Sequence, residues 1–213
     1  MTHARIVRTI KPVICATILP LALLLNACSI GPPARATVVN YDLGPQRTHA
    51  QAGRGTKAAL MVSAVVAPAW LDSPGIVYRL AYLDAARPQT YAQSRWVDSP
   101  AALLTQRVRS RFAAAGPIVG SSDGARADYA LRIEIEDFSQ SFNTADRSQV
   151  TIRIRATLVN LSSSTLHAQR TFSVERPAAP DAEGAARALA QAADAVIESL
   201  LEWTTQDLNL KAG

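Results

Sequence analysis

The sequence predicts an α+β domain in which a mostly antiparallel sheet packs against two helices. Residues 129–136 and 150–158 alternate between apolar and polar side chains, as strands do when one face is buried and the other is solvated. Apolar residues recur at helical spacing near 99–115, which predicts one amphipathic helix. A second apolar stripe runs along residues 181–208 and predicts a long C-terminal helix.

Several shorter strands are expected before the first helix. Short runs rich in apolar, β-branched and aromatic residues, bounded by Pro and Gly, predict strands at residues 37–43, 58–66, 76–80 and 90–97. The last two would pair as a hairpin across a loop that contains Asp84 and Pro88.

The first helix has clear start and stop signals. Ser99 suits the N-cap, Pro100 suits the first helical position, and Gly116 follows the last apolar residue. Three arginines are expected to decorate this helix outside its apolar stripe: Arg107, Arg109 and Arg111.

The second half of the chain predicts an antiparallel meander. A third strand is expected at residues 166–174, after the two alternating segments. At Asp137 the apolar phase slips by one residue, which indicates either a bulge or the end of the strand. Residues 177–180 are interpreted as a linker, and Asp181 as the cap of the long helix.

The N-terminus has the features of a secretory signal. Arg5, Arg8 and Lys11 precede an apolar run from Val13 to Leu25, which is too short for a comfortable membrane span. Residues 1–27 are therefore expected to be a signal peptide, residues 28–36 a tether, and residues 37–208 a single domain.

The end of the signal predicts a lipid anchor. Leu25-Asn26-Ala27-Cys28 resembles the bacterial lipobox, which implies cleavage before Cys28 and a covalent lipid on its sulfur and amine. The alternative is an ordinary signal peptide with an incidental cysteine. Ser29 after the cysteine favours the periplasmic face of the outer membrane over the inner membrane, where an Asp would be expected.

Charge and cysteine content narrow the class of protein. Loss of the signal leaves 19 of the 22 basic residues beside 17 acidic ones, which removes the electrostatic support for nucleic-acid binding. Of the two cysteines, Cys15 lies in the signal and Cys28 would be lipidated. The mature domain would therefore have neither a free thiol nor a disulfide.

The residue patterns do not predict catalysis. The sequence contains no phosphate-binding glycine loop and no nucleophile elbow. His49 and His167 have no second ligand at metal spacing, so no metal and no cofactor apart from the Cys28 lipid are expected. The acidic group Glu134, Glu136 and Asp137 is interpreted as part of a solvated strand face. The protein is thus predicted not to be an enzyme.

One stretch carries a family resemblance. VVAPAWLDSPGIVYR, residues 65–79, runs from an apolar strand into a Pro-flanked aromatic turn, and Arg95-Trp96 follows before a helix. This order resembles the ABC-type transport auxiliary lipoproteins, the PqiC-like lipoprotein family. The resemblance implies a non-catalytic partner of an MCE-domain protein and an ABC permease and ATPase that carry lipids between two membranes, with homo-oligomerisation as a further possibility.

The same stretch supplies the candidate site. Trp70 and Tyr78 are expected either in the core or at an edge that suits a partner or a lipid surface. In the second case Arg79 and Arg95 would meet anionic headgroups or partner carboxylates. Trp96 is assigned to the core. A different class of function, structural support of another outer-membrane complex, stays open.

Overall fold

The computed structural model describes residues 37–46, 58–120 and 123–210. These residues all belong to one compact unit that begins at Thr37. The predicted signal peptide, the tether, the lipidation site Cys28 and the histidine His49 lie outside the described residues.

The strands form one mixed seven-stranded sheet. The order is β1-β4-β3-β5-β6-β7, and β2 pairs with β5 off this path. The strands are β1 (Val39–Tyr41), β2 (Leu60–Val62), β3 (Gly75–Leu80), β4 (Pro88–Trp96), β5 (Tyr129–Phe142), β6 (Ser148–Asn160) and β7 (Thr165–Ala178).

The predicted meander is confirmed. β5, β6 and β7 are long, antiparallel neighbours. Buried residues alternate with more exposed ones along most of β6 and the first half of β5, whereas β7 is mostly exposed, with Phe172 buried. The slip at Asp137 is a bulge, because the register shifts between Ile135 and Asp137 while β5 continues to Phe142. On the wet face, Arg155 lies opposite Glu134, and its Nη2 is 2.6 Å from Glu134 Oε2.

The shorter strands combine two kinds of pairing. β3 and β4 form the predicted antiparallel hairpin, whereas β1 pairs with β4, β2 with β5 and β3 with β5 in parallel. In each parallel pair a long stretch of chain separates the two strands, as parallel pairing requires. The α+β class is therefore confirmed, with the parallel pairs confined to the short strands.

Among the described residues, three α-helices accompany the sheet. They are α1 (Ala81–Asp84), α2 (Pro100–Ala113) and α3 (Ala182–Leu210). α2 and α3 lie where the sequence predicts them. The Ser99 hydroxyl accepts from the N–H of Ala102, and the Asp181 carboxylate accepts from the N–H of Gly184 at 2.6 Å. α1 occupies what the sequence predicts as a loop.

The core lies between the sheet and the two longer helices. α3 packs on β6 and β7 through a face rich in alanine, with Leu189, Val196 and Leu200 fully buried along it. Trp96 is 1% exposed and meets Phe138 edge to face, with ring centroids 5.8 Å apart, so its assignment to the core is confirmed.

The start of α3 approaches the preceding chain closely. A Cβ built on Gly184 would lie 2.6 Å from the carbonyl oxygen of Ala179. Only glycine fits at this distance, so the residue serves close packing of the linker against the helix rather than helix propensity.

Gly184→Ala is expected to destabilise the domain by about 1 kcal/mol. Helix propensity alone favours alanine by up to about 1 kcal/mol, but overpacking costs about 1–3 kcal/mol. Urea unfolding followed by circular dichroism measures the net effect. Gln191→Ala, on an exposed position of the same helix, is the matched control and should change stability by less than about 0.5 kcal/mol. A stabilised Gly184→Ala variant would contradict the close approach.

Candidate functional site

Trp70 and Arg79 lie together at the surface. Trp70 belongs to a short 3-10 helix, Ala69–Leu71, whose first turn closes when the Leu71 N–H donates to the carbonyl of Pro68 at 2.8 Å. Leu71 is buried, whereas Trp70 is 37% exposed. The Arg79 guanidinium carbon lies 4.9 Å from the centre of the Trp70 ring, a cation–π contact. The Pro-flanked turn thus buries its leucine and presents its tryptophan beside a cation.

Tyr78 points away from that pair. Neighbouring residues of a strand face opposite sides, so Tyr78 and Arg79 cannot share a surface within β3. The Tyr78 ring packs on Tyr91 at 4.6 Å and meets Phe142 edge to face at 5.9 Å. Its hydroxyl donates to the side-chain carbonyl of Gln89 at 3.1 Å. Tyr78 is therefore half-buried in an aromatic cluster, apart from Trp70.

Arg95 lies at the other end of the hairpin. The register of β3 and β4 sets Arg79 opposite Pro88 and Arg95 opposite Gly75, so the two arginines mark opposite ends. Arg95 Nε donates to Asn40 Oδ1 of the edge strand β1 at 2.9 Å. The structure thus brings together two of the four predicted surface residues, Trp70 and Arg79, and separates the other two from them.

Helix α1 adds two residues that the sequence analysis missed. Leu83 is 70% exposed and Tyr82 is 44% exposed. Arg79 links α1 to Trp70, because its Nη1 also donates to the carbonyl of Ala85 at 3.3 Å. We call Trp70, Arg79, Tyr82 and Leu83 the α1 patch. The sequence feature that could have identified them is an apolar Tyr-Leu pair inside the predicted hairpin loop.

Arg107 is buried, which corrects the prediction that it decorates α2. Its side chain is 7% exposed, and Nε lies 3.0 Å from Asp194 Oδ1 of α3. Its other two nitrogens donate to the carbonyls of Leu43 and Gly44 at 2.8 and 2.7 Å. The guanidinium fork can satisfy all three acceptors at once, which explains why a cation is tolerated there.

The two arginines that follow on α2 are also engaged. Arg111 forms an ion pair with Glu198 of α3 at 2.5 Å. Arg109 Nε donates to the carbonyl of Val62 at 3.2 Å. The basic side of α2 thus attaches the helix to α3 and β2, instead of presenting free cations to a ligand.

A buried polar network connects the sheet to the chain before α3. The Tyr91 hydroxyl donates to Gln140 Oε1 at 2.7 Å, and Gln140 Nε2 donates to Ser148 Oγ and to the carbonyl of Ala179. Burial, aided by the nearby negative charge of Asp181, raises the pKa of the Tyr91 hydroxyl above its ordinary value. Tyr91 therefore stays a protonated donor to Gln140.

Within residues 37–46, 58–120 and 123–210, no group of three or more His, Cys, Asp or Glu side chains could hold a metal ion. His167 packs edge to face on Tyr129, and its Nε2 lies 3.3 Å from Asp207 Oδ2. Glu134 and Glu136 share Arg155 on the solvated face of the sheet. In the same part of the chain, no helix is both long and apolar enough to cross a membrane.

Replacing Arg107 is expected to destabilise the domain strongly. Arg107→Met leaves Asp194 and two carbonyls without their partner, and removal of one member of a buried pair costs about 3–5 kcal/mol. Thermal and urea unfolding measure the loss. Arg187→Met removes an exposed helical ion pair and should cost less than about 0.5 kcal/mol. Equal effects of the two substitutions would contradict the buried role of Arg107.

Stability is expected to fall with rising pH above about pH 10, partly through Tyr91. The ordinary pKa of tyrosine is about 10, so in that range the unfolded chain loses this proton while the folded chain keeps it. Because the folded state then binds more protons, the free energy of unfolding decreases as pH rises. Tyr91→Phe should show a shallower decrease between about pH 10 and pH 12.

The measurement is the slope of unfolding free energy against pH in wild type and Tyr91→Phe. Comparing slopes separates the titration from the hydrogen bond to Gln140, whose loss lowers stability at every pH. Identical slopes would show that Tyr91 does not titrate differently in the two states.

The fold is shared with proteins of known structure. A crystal structure of a Xanthomonas campestris protein, described by the family model DUF330, is 24% identical with a TM-score of 0.73, covering 82% of this chain and 99% of that one. The crystal structure of an uncharacterized protein is 17% identical with a TM-score of 0.58, covering 79% and 99%. A hypothetical protein from Chlamydia trachomatis is 7% identical with a TM-score of 0.50, covering 71% and 98%.

No curated protein matches the chain in sequence. The family model of the ABC-type transport auxiliary lipoprotein component does match, over residues 41–200. That range includes the hairpin, the meander, α2 and most of α3. Because the match spans most of the chain, this protein belongs to the ABC-type transport auxiliary lipoprotein family.

Proposed function

We propose that this protein is a periplasm-facing lipoprotein of the outer membrane, anchored by a lipid on Cys28. It acts without catalysis as the auxiliary component of an ABC-type system that moves phospholipids between the two membranes. Its partners are the MCE-domain protein of that system and, through it, the permease and ATPase.

The observation that carries this proposal is the family match together with the lipobox. The match over residues 41–200 identifies an auxiliary lipoprotein component, and Leu25-Asn26-Ala27-Cys28 supplies the residue that would receive the lipid. Several acyl chains on one cysteine hold a protein at a bilayer far more firmly than a single chain does. The two observations agree on a module that works while attached to a membrane.

The described surface suits contact rather than chemistry. Trp70 and Arg79 present an aromatic ring and a cation together, a combination that suits either a partner protein or a lipid surface. Arg95 is exposed at the β1 edge of the sheet. Tyr78 contributes from its half-buried place beside Tyr91, where it supports the hairpin that carries Arg79 and Arg95.

A second surface is available at the opposite edge of the sheet. Within the described residues, β7 pairs only with β6, so the 14 residues of β7 leave one backbone edge without a neighbouring strand. Free edges of this length accept an added strand from another chain. Homo-oligomerisation through this edge is part of the proposal, because it would leave the hairpin accessible.

Copurification from native membranes tests the proposed role. Tagged wild type, crosslinked mildly before extraction, should bring down an MCE-domain protein from the outer-membrane fraction. Cys28→Ser should lose this partner, because the uncleaved, unlipidated precursor is not delivered to the outer membrane. Cys15→Ser, altered only in the predicted signal, is the matched control and should behave as wild type.

Two results would contradict the proposal. Recovery of a different outer-membrane complex without any MCE-domain protein would favour structural support of the envelope. Equal recovery of the MCE-domain protein with wild type and Cys28→Ser would show that the anchor has no part in the interaction.

A further inference from the structure

The α1 patch exposes three large apolar side chains, with Leu83 70%, Tyr82 44% and Trp70 37% exposed. Leu83 and Tyr82 are consecutive and exposed, and Arg79 contacts both the Trp70 ring and the carbonyl of Ala85 that follows α1. α1 is only one turn long and none of its residues is buried, so the helix does not cover the side chains of Tyr82 and Leu83. We infer that the α1 patch rests on the lipid bilayer that holds the Cys28 lipid, as a second, non-covalent membrane contact.

β1 runs away from the α1 end of the sheet. β1 runs parallel to β4, with Val39 opposite Ser94 and Tyr41 opposite Trp96. β4 begins at Pro88, next to α1, and runs away from it. The first described residues therefore run away from α1 along β1, and Val39 lies nearer to α1 than Tyr41 does.

Chain length allows both contacts at once. Ser94 is six residues beyond Pro88, so Val39 lies about 20 Å from the α1 end at about 3.3 Å per residue. Cys28 precedes Val39 by 11 residues, which span up to about 40 Å when extended. The tether is long enough for α1 to touch the bilayer while the lipid on Cys28 stays inserted.

The chemistry of the patch matches a membrane interface. Leu83 suits the acyl boundary, and tyrosine and tryptophan are enriched at the level of the headgroups. Arg79 and the exposed Arg87 supply cations for lipid phosphates. The exposed carboxylate of Asp84 accepts from the N–H of Ala86 at 2.9 Å, so one of its oxygens is engaged within the turn.

The opposite end of the meander provides a contrast. Leu166 is 64% exposed, close to the exposure of Leu83, but it follows the β6–β7 turn. β5 runs from that end, where Tyr129 pairs with Asn160, to the α1 end, where Phe142 pairs with Leu80. Its 14 residues separate the two leucines by roughly 45 Å. Leu166 is therefore the matched control.

Site-specific fluorescence in proteoliposomes tests the inference, which rests on the proposed lipidation of Cys28. The mature chain would have no free thiol, so Leu83→Cys and Leu166→Cys each take one environment-sensitive label. Each labelled, lipidated full chain is reconstituted into vesicles of phosphatidylethanolamine and phosphatidylglycerol, with and without nitroxide-bearing lipid. Co-flotation of the protein with the vesicles shows separately whether the lipid on Cys28 is inserted.

The label in Leu83→Cys should be quenched several-fold more than the label in Leu166→Cys, and its emission should shift to shorter wavelength. If neither label is quenched while the protein floats with the vesicles, the α1 patch does not contact the bilayer, although the lipid on Cys28 still anchors the protein. Equal quenching of both labels also contradicts the inference, because both ends of the sheet would then lie at the same distance from the bilayer. A protein that does not float and shows no quenching refutes both the anchor and the patch contact.

Discussion

The packing of α3 on the meander is the interaction on which the rest of the fold depends. The alanine-rich face of α3 lets the helix lie close to β6 and β7, and Gly184 brings its first turn against Ala179. From the other side of α3, Asp194 and Glu198 hold α2 through two ion pairs. Loss of this packing would remove the support for α2, and with it the segment that follows β1.

Arg107 extends that support to the start of the domain. It joins α3 to the carbonyls of Leu43 and Gly44, which follow β1 directly. If residues 28–36 are the tether we propose, a pull on it would be transmitted to the core through the backbone hydrogen bonds of β1 and one buried cation. This is a sensible arrangement for a module that, as proposed, acts while attached to a membrane.

The sequence predicted the elements whose signals are local. The alternation of residues 129–136 and 150–158 predicted the meander and its solvent-exposed face. Ser99 and Pro100 predicted the start of α2. The bulge at Asp137 was visible as a change of phase. These features depend on side chains a few residues apart, which a single sequence displays directly.

The failures concern contacts between distant residues. Arg107 looked like a surface residue because its partners lie 63 to 87 positions away. The short strands pair in parallel with strands that lie far away in the sequence. No local pattern of residues indicates that pairing. Of the candidate site, the alternation within β3 could have separated Tyr78 from Arg79, but the meeting of Trp70 with Arg79 required the tertiary fold.

The proposed role depends on a covalent lipid at Cys28 that holds this domain at a membrane, where it works by contact. Mass spectrometry of the N-terminal peptide, taken from protein purified out of native membranes, detects that lipid. The expected peptide begins at Cys28 and carries a thioether-linked diacylglycerol. A mature peptide that begins elsewhere, or begins at Cys28 with an unmodified thiol, is incompatible with the proposed anchor.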